Sequence, residues 1–380
     1  MPSQRRVAVV ALHFSEYASR LACALASTSN VLLVLFSDNA TSELGNKWRD
    51  PIIGRGVQLF ELSRPTSIVR IVRNAVLLTK ALRAFNPNVI HFQEEWRDEL
   101  VWSWPFWPAV PWVVTVHDPQ LHSGTDAARV RFSRHRLYRA FMRRKSTHAI
   151  THGAFLARLL EGVCPWLAGH VYVVTHGPLG DWQLARAFVP NRHALLFFGR
   201  INEYKGLAVF VDAVIALRRQ GIPAVGIVAG RGADLEKHKD EMSNTGYFDI
   251  RDRYIASKEI PRLFGEAGVV VLPYIEGTQS GVAAMAIGYG RPIVASAVGS
   301  LPELVRHGEN GLLVPPQDVN ALVSALTKVI CDKQTAGVLA NGAATLRDGE
   351  FSWDSIAVET SRVYDDAIRD HDERWGRLAG

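Results

Sequence analysis

Residues 194–206 read ALLFFGRINEYKG, an apolar run that ends in glycine and leads to two cations. Further apolar runs at 225–229, 269–273, 293–296 and 311–314 also border on Gly, Pro or Ser, and helical patterns separate them. Short apolar runs without alternation are typical of strands buried on both faces, and intervening helices indicate a parallel, doubly wound sheet. Ligands of such sheets bind at the carboxyl ends of the strands.

Two cations and one helix start in this segment predict a site for a diphosphate. Arg200 and Lys205 follow a strand end and lie five residues apart, so both can converge on one doubly charged group. Ser280, Gly281 and Val282 open a helix of small residues, whose first N–H groups and dipole attract an anion. The alternative is that Arg200 and Lys205 are solvated surface cations.

The order of these motifs resembles the donor-binding domain of the retaining glycosyltransferases of family 4, which have the GT-B fold. Its Gly-Arg…Lys-Gly pair is matched by residues 199–206, and its later motifs by Gly290–Ser296, Gly299–Glu303 and Asn310–Val314. The resemblance implies an α/β protein with two doubly wound Rossmann-like domains that face a central cleft. We expect an acceptor-binding and membrane-facing domain at 1–180, a donor-binding domain at 190–351, and a helix at 352–380 that packs back across the cleft.

The resemblance also implies an activity and its residues. We expect transfer of a hexose from a UDP- or GDP-sugar to a lipid-linked or saccharide acceptor, in polysaccharide or glycolipid assembly, with retention at the anomeric carbon and without a metal or cofactor. The catalytic candidates are His117, Arg200, Lys205 and Glu276. The donor-binding candidates are Gly199, Arg200, Lys205, Tyr254, Gln279, Ser280, Gly281 and Val282.

One motif departs from the family pattern. The family has two glutamates eight positions apart, and an ungapped count from Pro292 places Gly277 and Met285 there. A shift by one residue places Glu276 and Ala284 there instead. At most one glutamate survives, and which group holds the nucleotide ribose stays open. A nucleotide-sugar-binding protein without transferase activity is therefore an alternative function.

The N-terminal half offers a second set of candidates. The strand 113–116 ends in His117-Asp118, where the family has a His-Asp near the donor sugar; a histidine held by a strand-end carbonyl is the alternative. His13, Glu16 and Asp118 are weaker acceptor-side candidates, because the Gly-Gly loop that relatives have after the first strand is missing. No Gly-x-Gly-x-x-Gly follows that strand either, which argues against a dinucleotide-dependent oxidoreductase.

The net charge of +6 is concentrated in one half of the chain. Residues 1–185 hold 21 Lys and Arg against 13 Asp and Glu, or +8, and the remainder holds 22 against 24, or −2. The run from Arg129 to Lys145 carries eight cations and no acid, and we assign Arg139, Arg143, Arg144 and Lys145 to an anionic membrane surface. A solvated cationic face beside a Trp-rich core is the alternative. No nucleic-acid-binding module accompanies the charge.

Composition sets the remaining expectations. Three distant cysteines argue for a reducing compartment and against a disulfide framework or a zinc site. We expect a cytoplasmic protein, peripheral on the cytoplasmic face of the inner membrane. The sequence Asp370-His371-Asp372 imitates a metal motif, but its place on a polar helical tail favours a solvated face.

Overall fold

The computed structural model describes residues 4–94, 98–120, 134–277 and 279–379 of the chain. They fall into two compact units. The first takes the described residues up to Thr175 and resumes at Trp353, and the second runs from His176 to Ser352.

The first unit is built on seven parallel strands. These are β1 (Arg6–Ala11), β2 (Asn30–Phe36), β3 (Gln58–Leu62), β4 (Val89–Gln93), β5 (Trp112–Thr115), β6 (His148–Thr151) and β7 (Val171–Val173), in the order β3-β2-β1-β4-β5-β6-β7. The accompanying helices are α1 (Ser15–Leu25), α2 (Ser37–Leu44), α3 (Arg49–Ile53), α4 (Ile68–Phe85), α5 (Asp98–Ser103), α6 (Arg134–Lys145) and α7 (Ala154–Val163). The strand order reverses direction at β1, so the helices cover both faces and bury the apolar strands between them.

The second unit is built on six parallel strands. These are β8 (Asn191–Phe198), β9 (Val225–Gly230), β10 (Phe248–Asp252), β11 (Ala267–Leu272), β12 (Ile293–Ser296) and β13 (Gly311–Val314), in the order β10-β9-β8-β11-β12-β13. Its helices are α8 (Trp182–Ala185), α9 (Leu207–Arg219), α10 (Ala233–Thr245), α11 (Ile260–Glu266), α12 (Gly281–Gly288), α13 (Leu301–Leu304), α14 (Val319–Cys331) and α15 (Lys333–Asp348). Two apolar clusters form its core, one on each face of the sheet.

The last helix, α16 (Trp353–Ala379), belongs to the first unit, where it packs against α1, β4 and β5. Its Tyr364 is fully buried, and the hydroxyl lies 2.6 Å from Nδ1 of His91 on β4. Nε2 of the same histidine lies 2.7 Å from Oγ1 of Thr115 on β5. Burial lowers the pKa of His91 to about 3, so the ring is neutral at ordinary pH.

The architecture confirms the predicted fold class, since both sheets are parallel and wound with helices. Among the described residues, no helix combines the length and the apolar character that crossing a bilayer requires.

Candidate functional site

A loop at the carboxyl end of β8 forms one side of the candidate site in the second unit. The loop passes through Gly199 and Arg200, makes one 3-10 turn over Glu203–Lys205, and enters α9 after Gly206. Gly206 has φ 70°, and a Cβ there would lie 2.0 Å from the carbonyl oxygen of Pro273. Only glycine permits this close approach, which holds the Lys205 loop against the end of β11.

Lys205 is a buried cation, with 7% of its surface exposed. Its Nζ lies 5.5 Å from the ring centroid of Tyr274 and 3.0 Å from the point where a Cβ on Gly199 would stand. Burial lowers the pKa of this ammonium, and the positive charge of Arg200 acts in the same direction. None of the described carboxylates forms an ion pair with it. A desolvated ammonium without a counter-ion is costly, which makes this loop a candidate site for an anion.

The start of α12 faces the same place. Ser280 caps this helix by accepting a hydrogen bond from the N–H of Ala283 at 3.2 Å, and its Oγ lies 3.1 Å from the hydroxyl of Tyr274. Val282 lies beside Gly199, with its Cγ2 3.5 Å from the point where a glycine Cβ would stand. The first N–H groups of a helix have no partner within the helix and attract anions. The structure thus brings Gly199, Lys205 and Val282 close together.

Gln279, one of the predicted donor-binding residues, adds a buried polar atom. Its Oε1 atom is buried and has no hydrogen-bond partner among the described residues. The neighbouring Thr278 lies outside them. A buried amide oxygen in this state is stabilised when a hydroxyl or N–H donor of a ligand reaches it.

Three predicted donor-side residues are more exposed. Arg200 lies on the surface, close enough to influence the charge of Lys205. Glu276 is also exposed, whereas Ala284 and Met285, the positions where the second glutamate of the family would stand, are buried in α12. Tyr254 follows β10 with 65% of its surface exposed, and no described contact joins it to Lys205 or α12.

His117 is the central candidate of the first unit. It lies two residues beyond the end of β5 and is buried, with Nε2 2.9 Å from Oε1 of Gln93. Its ring stacks on Phe14 at a centroid distance of 4.1 Å and contacts the ring edge of Tyr17 at 5.6 Å. Phe14 has φ 52°, a left-handed conformation that is rare for an aromatic residue. Such strain clusters at functional sites, and sequence reasoning missed Phe14 because nothing in a phenylalanine signals it.

The acceptor-side candidates lie at the same edge of this sheet. His13 precedes Phe14, and its Nδ1 is 3.4 Å from Oδ1 of Asn39. Glu16 forms an ion pair with Arg20 at 2.9 Å, on the first turn of α1. Asp118 follows His117, and its backbone carbonyl accepts hydrogen bonds from Arg139 and Arg143.

Two of the cations predicted to form a basic face on α6 are buried. Arg139 and Arg143 are 9% and 6% exposed, and both pair with the buried Glu94, at 3.3 Å and 2.5 Å. Arg143 also donates to the carbonyl of Pro119 at 3.1 Å. The prediction that these two arginines contact a membrane is therefore wrong. They are buried counter-ions of Glu94 and donate hydrogen bonds to backbone carbonyls just after His117.

Two further cations of this region have described contacts. Arg144 and Lys145 are exposed but lie over the rings of Trp166 and Trp104, at 4.9 Å and 3.9 Å from the ring centroids. Arg129 and Arg131 lie outside the described residues.

Sequence comparison finds a family model that matches most of the second unit. Residues 192–332 match the model described as "Glycosyl transferases group 1", so the resemblance inferred from the motifs is confirmed. A D-inositol 3-phosphate glycosyltransferase of Salinispora tropica is 29% identical over 206 residues, which cover 51% of this chain and 42% of that protein. The chain thus spans less than half the length of this relative.

Solved structures resemble the chain along nearly its whole length. Sucrose-phosphate synthase from Thermosynechococcus elongatus aligns with a TM-score of 0.70 and 19% identity, covering 96% of this chain and all of that one, 100%. HepE from Anabaena, solved in complex with UDP-glucose, aligns with a TM-score of 0.67 and 16% identity, covering 95% and 99%. At such identities the likeness shows the fold alone, which is GT-B.

Proposed function

We propose that this chain is a glycosyltransferase that binds the diphosphate of a nucleotide sugar at Lys205 and the start of α12. The observation that carries the proposal is the buried ammonium of Lys205, which has no described counter-ion and lies beside Gly199 and Val282. The family match over residues 192–332 and the UDP-glucose complex of HepE support a nucleotide sugar as the donor.

In the proposed reaction, the bond between the anomeric carbon of the sugar and the diphosphate oxygen breaks, and negative charge develops on the departing diphosphate. A new bond forms between that carbon and a hydroxyl oxygen of the acceptor, and the hydroxyl proton passes to the departing diphosphate. Lys205 and Arg200 stabilise that charge, and the N–H groups of Gly281 and Val282 stabilise it further. Charged and polar groups that already point to where charge develops in the transition state lower the reaction barrier, because they need not move during the reaction. These cations take the part that a metal plays in other transferases, so we propose a metal-independent transfer. From the family resemblance we also propose that the transferred sugar is a hexose and that its anomeric configuration is retained.

The missing glutamate leaves a role for Gln279. We propose that its buried Oε1 accepts a hydrogen bond from a hydroxyl of the donor, and that Glu276 contacts a hydroxyl of the transferred sugar. His117 of the first unit is proposed separately as a catalytic residue. An amide acceptor replaces the hydrogen bonding of a carboxylate but not its charge. Gln279→Ala should therefore weaken donor binding more than Gln279→Glu does.

A panel of ligands and donors tests this function. Thermal shifts with UDP, GDP, ADP and NAD report which nucleotide the protein binds, since a ligand that binds the folded state raises the melting temperature. Release of free nucleotide from UDP- and GDP-hexoses, with an acceptor extract, reports turnover, and the anomeric configuration of the product reports retention. Nucleotide binding without turnover would favour the alternative of a binding protein, and no response to any nucleotide would refute the proposal.

For the acceptor we propose a lipid-linked saccharide at an anionic membrane surface facing the cytoplasm, reached through α4. Four apolar side chains of this helix are 48–76% exposed, and so many on one surface helix are unusual. They belong to Ile68, Val69, Val72 and Val76. Four exposed cations accompany them, without any acidic residue in the helix; these are Arg70, Arg73, Lys80 and Arg83. Arg83 donates to the carbonyl of Phe106, which is itself exposed, as is Trp102 of α5.

A basic helix with an exposed apolar stripe is typical of binding in the membrane interface. A triple variant with Arg70, Arg73 and Lys80 changed to Ala should bind anionic vesicles about 100-fold more weakly, at roughly 1 kcal/mol per cation. The charge-matched control changes three exposed cations of the second unit, Arg219, Lys258 and Lys333, and should bind as the unmodified protein does. Cosedimentation that is indifferent to lipid charge would refute the membrane proposal and favour a soluble acceptor.

A further inference from the structure

We propose that His148, His170 and Asp370 form a binding site for a divalent transition-metal ion of the Zn²⁺ type. The site lies in the first unit, where α16 crosses the amino ends of β6 and β7. It goes beyond the proposed transferase function and does not depend on it.

The sheet register brings the two histidines together. Ala149 pairs with Val171 in the parallel ladder between β6 and β7, so His148 and His170 occupy neighbouring positions one residue earlier. The N–H of Ala149 donates to the carbonyl of His170 at 2.9 Å, which fixes this pairing. Their rings lie 4.8 Å apart between centroids, at 70° to each other. Two imidazoles are therefore held by a rigid ladder, which is what a preorganised metal site requires.

Asp370 of α16 supplies the third ligand. Its Oδ2 lies 3.3 Å from Nε2 of His148 and 3.6 Å from Nδ1 of His170. All three ligand atoms lie within 4.8 Å of one another. A tetrahedral ion with bonds of about 2.0–2.1 Å separates its ligand atoms by about 3.3–3.5 Å. Both carboxylate distances match that spacing closely, and two imidazoles with one carboxylate form a ligand set that zinc accepts.

A second observation is the state of His148. The residue is 1% exposed, and its buried Nε2 has Oδ2 of Asp370 at 3.3 Å as an ion-pair contact but forms no regular hydrogen bond among the described residues. Its Nδ1 lies 3.1 Å from Oγ1 of Thr147, which orients the ring and leaves Nε2 for the cluster. An ion at this position would satisfy the buried nitrogen.

The proposed ion can reach the site from solvent, and neighbouring residues of α16 and β7 surround its ligands. The side chains of His170 and Asp370 are 44% and 37% exposed, so an ion can reach them and water can complete its coordination. Asp366, one turn earlier on α16, accepts a hydrogen bond from the hydroxyl of Tyr172 at 3.0 Å. Arg369 pairs with Asp366 at 2.6 Å and lies 3.9 Å from the other oxygen of Asp370, Oδ1. That arginine therefore leaves Oδ2 available.

The location assigns the ion a structural part. His117 lies at the carboxyl edge of the same sheet, whereas His148 and His170 lie at its amino edge. An ion bound here would fasten α16 to β6 and β7 without touching the proposed chemistry.

Titration of metal-free, untagged protein with Zn²⁺ and Co²⁺ tests the site, in a Cys331→Ser background that removes the exposed thiol. We expect one equivalent to bind with a rise in melting temperature, and Co²⁺ to give visible absorption bands. Asp370→Asn and His170→Ala should each weaken binding at least tenfold. Asp372→Asn, an exposed carboxylate two residues along the same helix, is the matched control and should change nothing.

Both test substitutions affect partly exposed side chains, and far-UV circular dichroism would verify that the variants are folded. Absence of metal binding to the unmodified protein would overturn the proposal. Binding that persists unchanged in the Asp370→Asn, His170→Ala double variant would also overturn it. Nucleotide binding by the second unit serves as an independent readout and should be the same in every variant.

Discussion

Replacing Lys205 by methionine should move stability and activity in opposite directions. The ammonium is buried, its pKa is lowered by that burial, and no described carboxylate compensates its charge. Methionine fills a similar volume beside Tyr274 without a charge to desolvate. We therefore expect the ligand-free protein to keep its free energy of unfolding or to gain about 1 kcal/mol, because burying an uncompensated charge is unfavourable.

Activity should fall by a larger amount. Losing one preorganised group that stabilises developing charge costs about 2–4 kcal/mol, which corresponds to roughly 30- to 1000-fold in turnover. Lys205→Arg should restore only part of this, because a planar fork does not replace a point charge in a closed loop. Urea unfolding without nucleotide measures the first quantity, and release of nucleotide from the preferred sugar donor measures the second.

Lys258→Met is the control, since this lysine is an exposed residue of the same unit and should affect neither measurement. If Lys205→Met instead lowers the free energy of unfolding by more than about 1 kcal/mol while donor turnover stays normal, Lys205 is a structural residue. The assignment of the diphosphate to this loop would then be refuted.

Three further substitutions have defined outcomes. Glu276→Gln should reduce turnover while leaving affinity for the free nucleotide diphosphate unchanged, since its proposed partner is the sugar; equal loss of both would contradict that role. Glu94→Gln should destabilise the first unit by about 3 kcal/mol in urea unfolding, because it leaves Arg139 and Arg143 buried without a counter-charge; a silent substitution would disprove the internal pairing. The pKa of His91 is lowered to about 3, so the unfolded chain takes up the proton first and stability is lost as pH falls below about 6.5. Between pH 7.5 and 5.0 this histidine should account for about 2 kcal/mol, and a His91→Gln variant that loses as much stability on acidification would exclude it as the source.

Much of the fold and of the donor site could be predicted because their signals are local. Strands buried on both faces give continuous apolar runs, and β8, β9 and β11 to β13 all have this pattern. Strand β10 (Phe248–Asp252) was missed because it is an edge strand with alternating polar residues and resembles a loop in sequence. Lys205 and Ser280 each lie in a loop between a strand and a helix, so the order of strands and loops, together with the family resemblance, predicted them as donor-site candidates.

Features that depend on distant partners escaped the sequence. Arg143 reads as a surface cation until Glu94, 49 positions away, is seen to pair with it. Asp370 reads as part of a solvated tail because His148 lies far from it in the chain. Helical spacing predicts which residues share a face of the helix, but it does not predict whether a carboxylate from another element packs against that face.

The return of α16 to the first unit has a consequence for biosynthesis. A ribosome finishes every strand of the second unit before it makes Trp353, while the sheet of the first unit still lacks the helix that buries Tyr364 against His91. The nascent N-terminal half therefore waits with part of its apolar surface uncovered, in a state that chaperones recognise and that aggregates readily. A product that ends before Trp353 would contain the whole second unit but would lack the last helix of the first unit. We expect such fragments to be insoluble even though all of the proposed diphosphate-binding residues are present.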